Sequence, residues 1–173
     1  MFKKALAKNG GLKVKKGIVF LSILVGLIFK VSCVTEKRLV GYYPNWLFYG
    51  KDLRPKFSPQ DIKVNHLTHL NYAFAKPVSV VTLDKIISGE KQYNLDELCK
   101  EIVFDSWADT DASGGNNYRN AIDLKNKNSA LKVLISIGGW TLSKEFTAIA
   151  VNSERRDLFA KIMTDFAQKY HFD

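Results

Sequence analysis

At 173 residues, 46% apolar and 25% charged, the chain suits one globular domain; it is too short for two comfortable ones and too apolar for a disordered segment. Its formal charge of +9 is unevenly placed: seven of the 26 basic residues lie in the first thirty positions, which hold no acid, and the other 19 face all 17 acids. The excess is therefore an N-terminal feature, which argues against a basic groove for nucleic acid.

Lysines dominate residues 1–16, and "IVFLSILVGLIF" then runs twelve residues from Ile18 to Phe29 without a charge. That run is too short for a bilayer core, which takes about 20 residues, but suits the apolar region of a secretory signal peptide. Residues 1–34 are expected to be such a signal or, given the long basic lead and Lys30, an uncleaved membrane anchor. The protein is accordingly expected to be secreted or periplasmic, or else tethered to a membrane through this leader alone. Lys30 stands where a bacterial lipoprotein signal prefers Leu, so Cys33 reads as a small residue near a cleavage point. Without Cys33, Cys99 is alone, and no disulfide framework exists.

Residues 36–46, "EKRLVGYYPNW", are predicted to form a short strand, which Pro44 ends by biasing Tyr43 toward an extended backbone. "HLTHLNYAFA" over 66–75 predicts a second strand, bounded by Lys76 and Pro77. The long stretch from Lys76 to Leu131 reads as an inserted helix followed by an irregular surface loop rich in Asp, Gly and Asn, with a further helix over 117–128. "KVLISI" at 132–137 is a near-continuous apolar run stopped by Gly138 and Gly139, as expected of a strand buried on both faces. Ser153 is the expected N-cap of the last helix, in which Leu158, Phe159, Ile162, Met163, Phe166, Ala167 and Tyr170 recur at three- and four-residue spacing. Strands alternating with helices predict an α/β fold with a parallel sheet.

Two strands end beside tryptophans, in "YYPNW" and "SIGGW". In parallel α/β folds ligands collect beyond the carboxyl ends of the strands. Trp46 and Trp140 could line a cleft there, offering flat apolar faces to the C–H faces of sugar rings; equally, both could cap the core, with Gly138–Gly139 a mere turn. "DTDASGG" copies the start of a calcium loop, with Asp109, Asp111, Ser113 and Gly114 at positions 1, 3, 5 and 6. Position 12 is Asn120, where a bidentate Glu is needed, so calcium is not expected. His66, His69 and His171 lack zinc-site spacing, and no glycine pair forms a phosphate loop.

"GYYPNW", "LTHLNYAFA" and "LKVLISIGGWTLSKEF", in that order, resemble the first three barrel strands of glycoside hydrolase family 18, the chitinases. "WADTDASGGNNYRNAIDLKNKNSALK" resembles the segment that many bacterial-type members carry before the third strand, and the resemblance runs from about Arg38 to Asp173. It implies an incomplete (β/α)8 TIM barrel, roughly its first three βα units, over residues 35–173. It implies a chitin or N-acetylglucosamine oligosaccharide partner, with no cofactor and no metal. By position, Tyr42 and Phe74 match aromatic residues at the floor of the family's −1 site, though both could be plain barrel core. Trp46, Gly139 and Trp140 match the wall of the minus subsites, and Ser136 matches the serine that supports the catalytic aspartates.

The same resemblance implies that "HFD" leads into the motif D-x-x-D-x-D-x-E, with Asp173 as its first aspartate and the general-acid Glu seven residues further on. In that family the glutamic acid protonates the glycosidic oxygen and the substrate's own acetamido oxygen attacks the anomeric carbon, an exception to the two-carboxylate scheme. These 173 residues are thus expected not to hydrolyse chitin by themselves. The competing expectation is a non-catalytic, lectin-like chitin binder, against which stand the unpaired strand edges that part of a barrel would leave.

Overall fold

Three parallel strands lie side by side in the order β1 (Val40–Pro44), β2 (His69–Ala75) and β3 (Lys132–Ile137). The computed structural model describes residues 37–51 and 54–173; the expected leader over 1–34, with Cys33, lies outside the described residues. Tyr43, Tyr72 and Ile135 share one rung, as do Gly41, Leu70 and Val133. Side chains alternate across a strand, so these rungs place one set of side chains against the helices. Tyr43, Leu70, Tyr72 and Val133 are all buried there. The intervening rungs, Tyr42–Asn71–Leu134 and Pro44–Ala73–Ser136, form the opposite face. The first strand ends at Pro44, as expected, but begins only at Val40; beyond it, residues Asn45–Tyr49 wind into a 3-10 turn that Gly50 closes at φ 66°.

The amide of Lys132 donates to Thr68 and that of Gly138 to Ala75, so alternate residues of β3 point at β2. Val133 points the other way. Its carbonyl accepts the Asp173 amide at 2.9 Å, and its own amide donates to the Asp173 carboxylate at 2.8 Å. Asp173 thus lies against the outer edge of β3, held there by its backbone amide and its side chain.

Helix α1 (Val80–Ile87) is capped by Ser79, and α2 (Leu95–Ile102) by Asn94, whose side-chain oxygen accepts from the Asp96 and Glu97 amides. The expected single helix in this region is therefore two. The first was hidden because Val80, Val81, Thr82, Ile86 and Ile87 are β-branched, and such residues read as strand. A short α3 (Ser106–Asp109) follows, and then α4 (Asn117–Asp123), which tightens into a 3-10 turn at Leu124–Asn126. After β3 come α5 (Phe146–Ala150) and α6 (Ser153–Lys169). The cap of α6 is Asn152, not the expected Ser153: its side chain accepts the Arg155 amide at 2.9 Å, and Asn caps as well as Ser does. Arg155 then forks onto both oxygens of Asp84 at 2.7 and 2.8 Å, joining α6 to α1.

The core is aromatic. Tyr118 lies edge-on to Tyr72 at 4.9 Å, to Phe172 at 5.2 Å and to Phe166 at 6.1 Å between ring centroids. Tyr118 is buried, yet its hydroxyl has no hydrogen-bond partner among the described residues. Removing a buried hydroxyl that makes no bond relieves a desolvation cost. Urea unfolding is expected to show Tyr118→Phe as stable as the parent or more stable, by up to about 2 kcal/mol. Phe166→Ala, which hollows the same cluster, should lose about 3–5 kcal/mol. A destabilised Tyr118→Phe would mean that the hydroxyl is held by something other than the surrounding side chains.

Candidate functional site

At the carboxyl end of the sheet the three strands deliver their aromatic residues to one place. Trp46, on the turn after β1, stacks on Phe74 at the end of β2, with ring centroids 6.1 Å apart and planes 25° from parallel. Gly139, just past β3, closes against the other partner: a Cβ there would come within 3.1 Å of the Phe74 ring. Gly138 and Gly139 both have φ near +95°, a conformation that side chains oppose. Ser143 Oγ braces this turn by donating to the Gly139 carbonyl at 2.6 Å. The peptide between Ala73 and Phe74 is cis.

Neither tryptophan caps a core in this chain. Trp46 is 54% exposed and Trp140 fully so. Tyr42 is 65% exposed on the sheet face opposite the helices, and the half-buried Ser136 lies on that same face. The structure thus brings Trp46, Phe74 and Gly139 into contact, leaves Trp140 beside them on the turn, and sets Tyr42 and Ser136 lower on the open face. A hollow of about 240 Å³ adjoins Trp46, with Tyr49, Lys51 and Arg54 among its walls.

Asp173 is not brought to this place. It sits against Val133, at the amino end of β3, roughly 16 Å along the strand from Gly138 at about 3.3 Å per residue. Lys125 and Lys132 reach its carboxylate at 2.5 and 3.1 Å. Partial burial pushes its pKa up, but the two ammonium groups and the Val133 amide outweigh that and hold it below the usual carboxylate value.

Asp109, the first residue of the sequence that imitates a calcium loop, has a structural role. Asp109 is completely buried. Its carboxylate accepts the Tyr72 hydroxyl at 2.6 Å, the Asn45 side-chain amide at 3.1 Å and the Asp105 backbone amide at 3.0 Å. Burial pushes its pKa up, opposed by these three donors. The Asp111 carboxylate accepts the Ser113 amide at 2.7 Å, so the loop turns on its own backbone. Among the described residues, no three His, Cys, Asp or Glu side chains gather as a metal site. Nothing in the sequence singled out Asn45 or Tyr72; only the pairing of β1 with β2 places them over Asp109. Asp105 also anchors Tyr49, whose hydroxyl donates to it at 2.7 Å and whose pKa is thereby pushed up to about 12.

The model of the family Glycosyl hydrolases family 18 matches residues 38–173. Chitinase A1 of Niallia circulans is 31% identical across 93% of this chain, which covers 27% of that protein. Among solved structures, catalytic domain 2 of the Ostrinia furnacalis group II chitinase, a mutant in complex with the chito-oligosaccharide (NAG)5, aligns with 79% of this chain and 30% of its own, at 29% identity and a TM-score of 0.58. Human YKL-39, a pseudo-chitinase with retained chitooligosaccharide binding properties, aligns over 79% of this chain and 30% of its own, at 27% identity and a TM-score of 0.54. The chain spans less than a third of each.

The Asp173 cluster yields a pH test. Its carboxylate is depressed on folding, so it adds stability above the unfolded value of about 3.9, and that contribution disappears as pH falls through the folded value. A carbon-detected NMR titration should place Asp173 below about 3.9, and Lys132→Gln should move it back toward that value. Titration at or above about 3.9 in the parent chain would contradict the ion-pair geometry.

Proposed function

Since the chain belongs to glycoside hydrolase family 18 and is part of that family's catalytic domain, we propose that it supplies the sugar-gripping wall of a chitinase, about the first three βα units of an eightfold barrel. The substrate class is β-1,4-linked N-acetylglucosamine polymer. The observation that carries this reading is the Trp46–Phe74 stack closed by Gly139 at the carboxyl ends of parallel strands. Pyranose rings present a C–H face that lies flat on such a surface, while the indole N–H offers one donor. Trp140 extends the wall, Tyr42 and Phe74 line the floor of the −1 position, and Ser136 stands where it would support the catalytic aspartates.

Joined to the rest of such a domain, this wall would serve substrate-assisted, retaining hydrolysis. The wall orients the −1 sugar so that its acetamido oxygen can reach the anomeric carbon, and a glutamic acid protonates the leaving oxygen. Positioning of this kind lowers a barrier by prepaid entropy. General-acid help is worth about 10²–10⁴ in rate. That acid is not among these 173 residues, and Asp173 stands as the first aspartate of its motif. By themselves, these residues are proposed to bind chito-oligosaccharide without cleaving it. Export through residues 1–34 belongs to the same proposal, and a mature N-terminus near Val34 would support it.

The second reading is a binder without catalysis in any context, and the likeness to YKL-39 favours it. Calorimetric titration with chitopentaose tests the shared part. Trp46→Ala and Trp140→Ala should each weaken binding about tenfold, near 1.4 kcal/mol, with the fold intact by circular dichroism. Unchanged affinity in both variants sinks the aromatic-wall reading. Release of reducing ends, once the segment is joined to the remainder of a family 18 domain, separates chitinase from pure binder.

A further inference from the structure

Asp109 lies outside the aromatic wall, yet three separate pieces of chain converge on its carboxylate. Asn45, which donates at 3.1 Å, is the residue immediately before Trp46. Tyr72, which donates at 2.6 Å, is two residues before Phe74 on β2. The Asp105 amide, at 3.0 Å, ties the carboxylate to the start of α3. Among the described residues, no other side-chain hydrogen bond links the 45–49 turn to β2.

All three partners are donors, and Asp109 is completely buried. A buried charge held only by neutral donors is costly to keep unless its neighbours are fixed in place. The carboxylate therefore fixes the separation and tilt of the two backbones that present the stacked rings. Phe74 is pinned from its other side by Gly139, so the remaining freedom in the stack belongs to Trp46 and its turn.

We infer that Asp109 is a positioning residue for the carbohydrate wall, setting the angle at which Trp46 meets Phe74. The carbohydrate part rests on the function proposed above; the positioning part rests on contacts alone. The test is a double-mutant cycle read in two ways. Asp109→Asn keeps the shape but turns an –NH₂ toward the Asp105 amide or toward Asn45, so one bond of the three is lost. In chitopentaose titrations, Asp109→Asn should weaken binding about tenfold, and Asp109→Asn combined with Trp46→Ala should bind no more weakly than Trp46→Ala alone. Additive losses would overturn the inference, because they would mean that Asp109 acts elsewhere.

The second readout needs no sugar. With 5-fluorotryptophan incorporated, the fluorine resonance of Trp46 should shift or broaden in Asp109→Asn, while that of Trp140 stays in place. A stationary Trp46 resonance in folded Asp109→Asn overturns the inference. If that variant fails to fold, Asn45→Ala and Tyr72→Phe each remove one arm, and the Trp46 resonance must still move in both. If the parent chain binds no chitopentaose yet the Trp46 resonance moves as stated, the carbohydrate reading fails and the anchoring role stands.

Discussion

Tyr43, Tyr72 and Ile135 lie side by side because the three strands run parallel and in register, and every other assignment in the molecule depends on that rung. A slip of one residue would turn each side chain to the other face of the sheet. With the register as it is, Tyr72 meets Tyr118 under the helices, its hydroxyl reaches Asp109, and Phe74 emerges at the strand end beside Trp46. Core and candidate site are thus two ends of one strand, seven residues long. The register also explains why Tyr42 is exposed although its neighbour Tyr43 is buried.

Much of this was legible in the sequence, for definite physical reasons. β3 matched its expected bounds because a run such as "KVLISI" ending in two glycines has few other ways to fold. The last helix was legible from its spacing, but its cap was not: Asn152 and Ser153 are adjacent residues of nearly equal capping strength, and a sequence cannot weigh them. α1 escaped notice because β-branched residues dominate it, and burial of Leu83 overrides their local preference.

The candidate site divides in the same way. Trp46, Trp140 and Gly139 could be named because each follows a strand, and strand ends are where parallel sheets present ligand contacts; Phe74 was named only through the resemblance to the family. Whether the tryptophans were core or surface could not be read, since spacing carries no information on burial. The anchoring role of Asp109 was hidden for a related reason. Its spacing to Asp111, Ser113 and Gly114 imitates a metal loop that Asn120 rules out, whereas the deciding partners, Asn45 and Tyr72, are 64 and 37 residues away.

Gly139 is constrained twice over, once by its φ of +96° and once by the Phe74 ring that fills the space a Cβ would need. Gly138 is in the same position with respect to Ser143 and Phe146. A side chain at 139 would therefore demand a displaced Phe74 ring and a different turn at once. Shrinking Phe74 would in turn leave Trp46 without its stacking partner. The glycine at 139, the Phe74 ring and the Trp46 stack therefore form one mechanical unit, in which a change at one end is felt at the other.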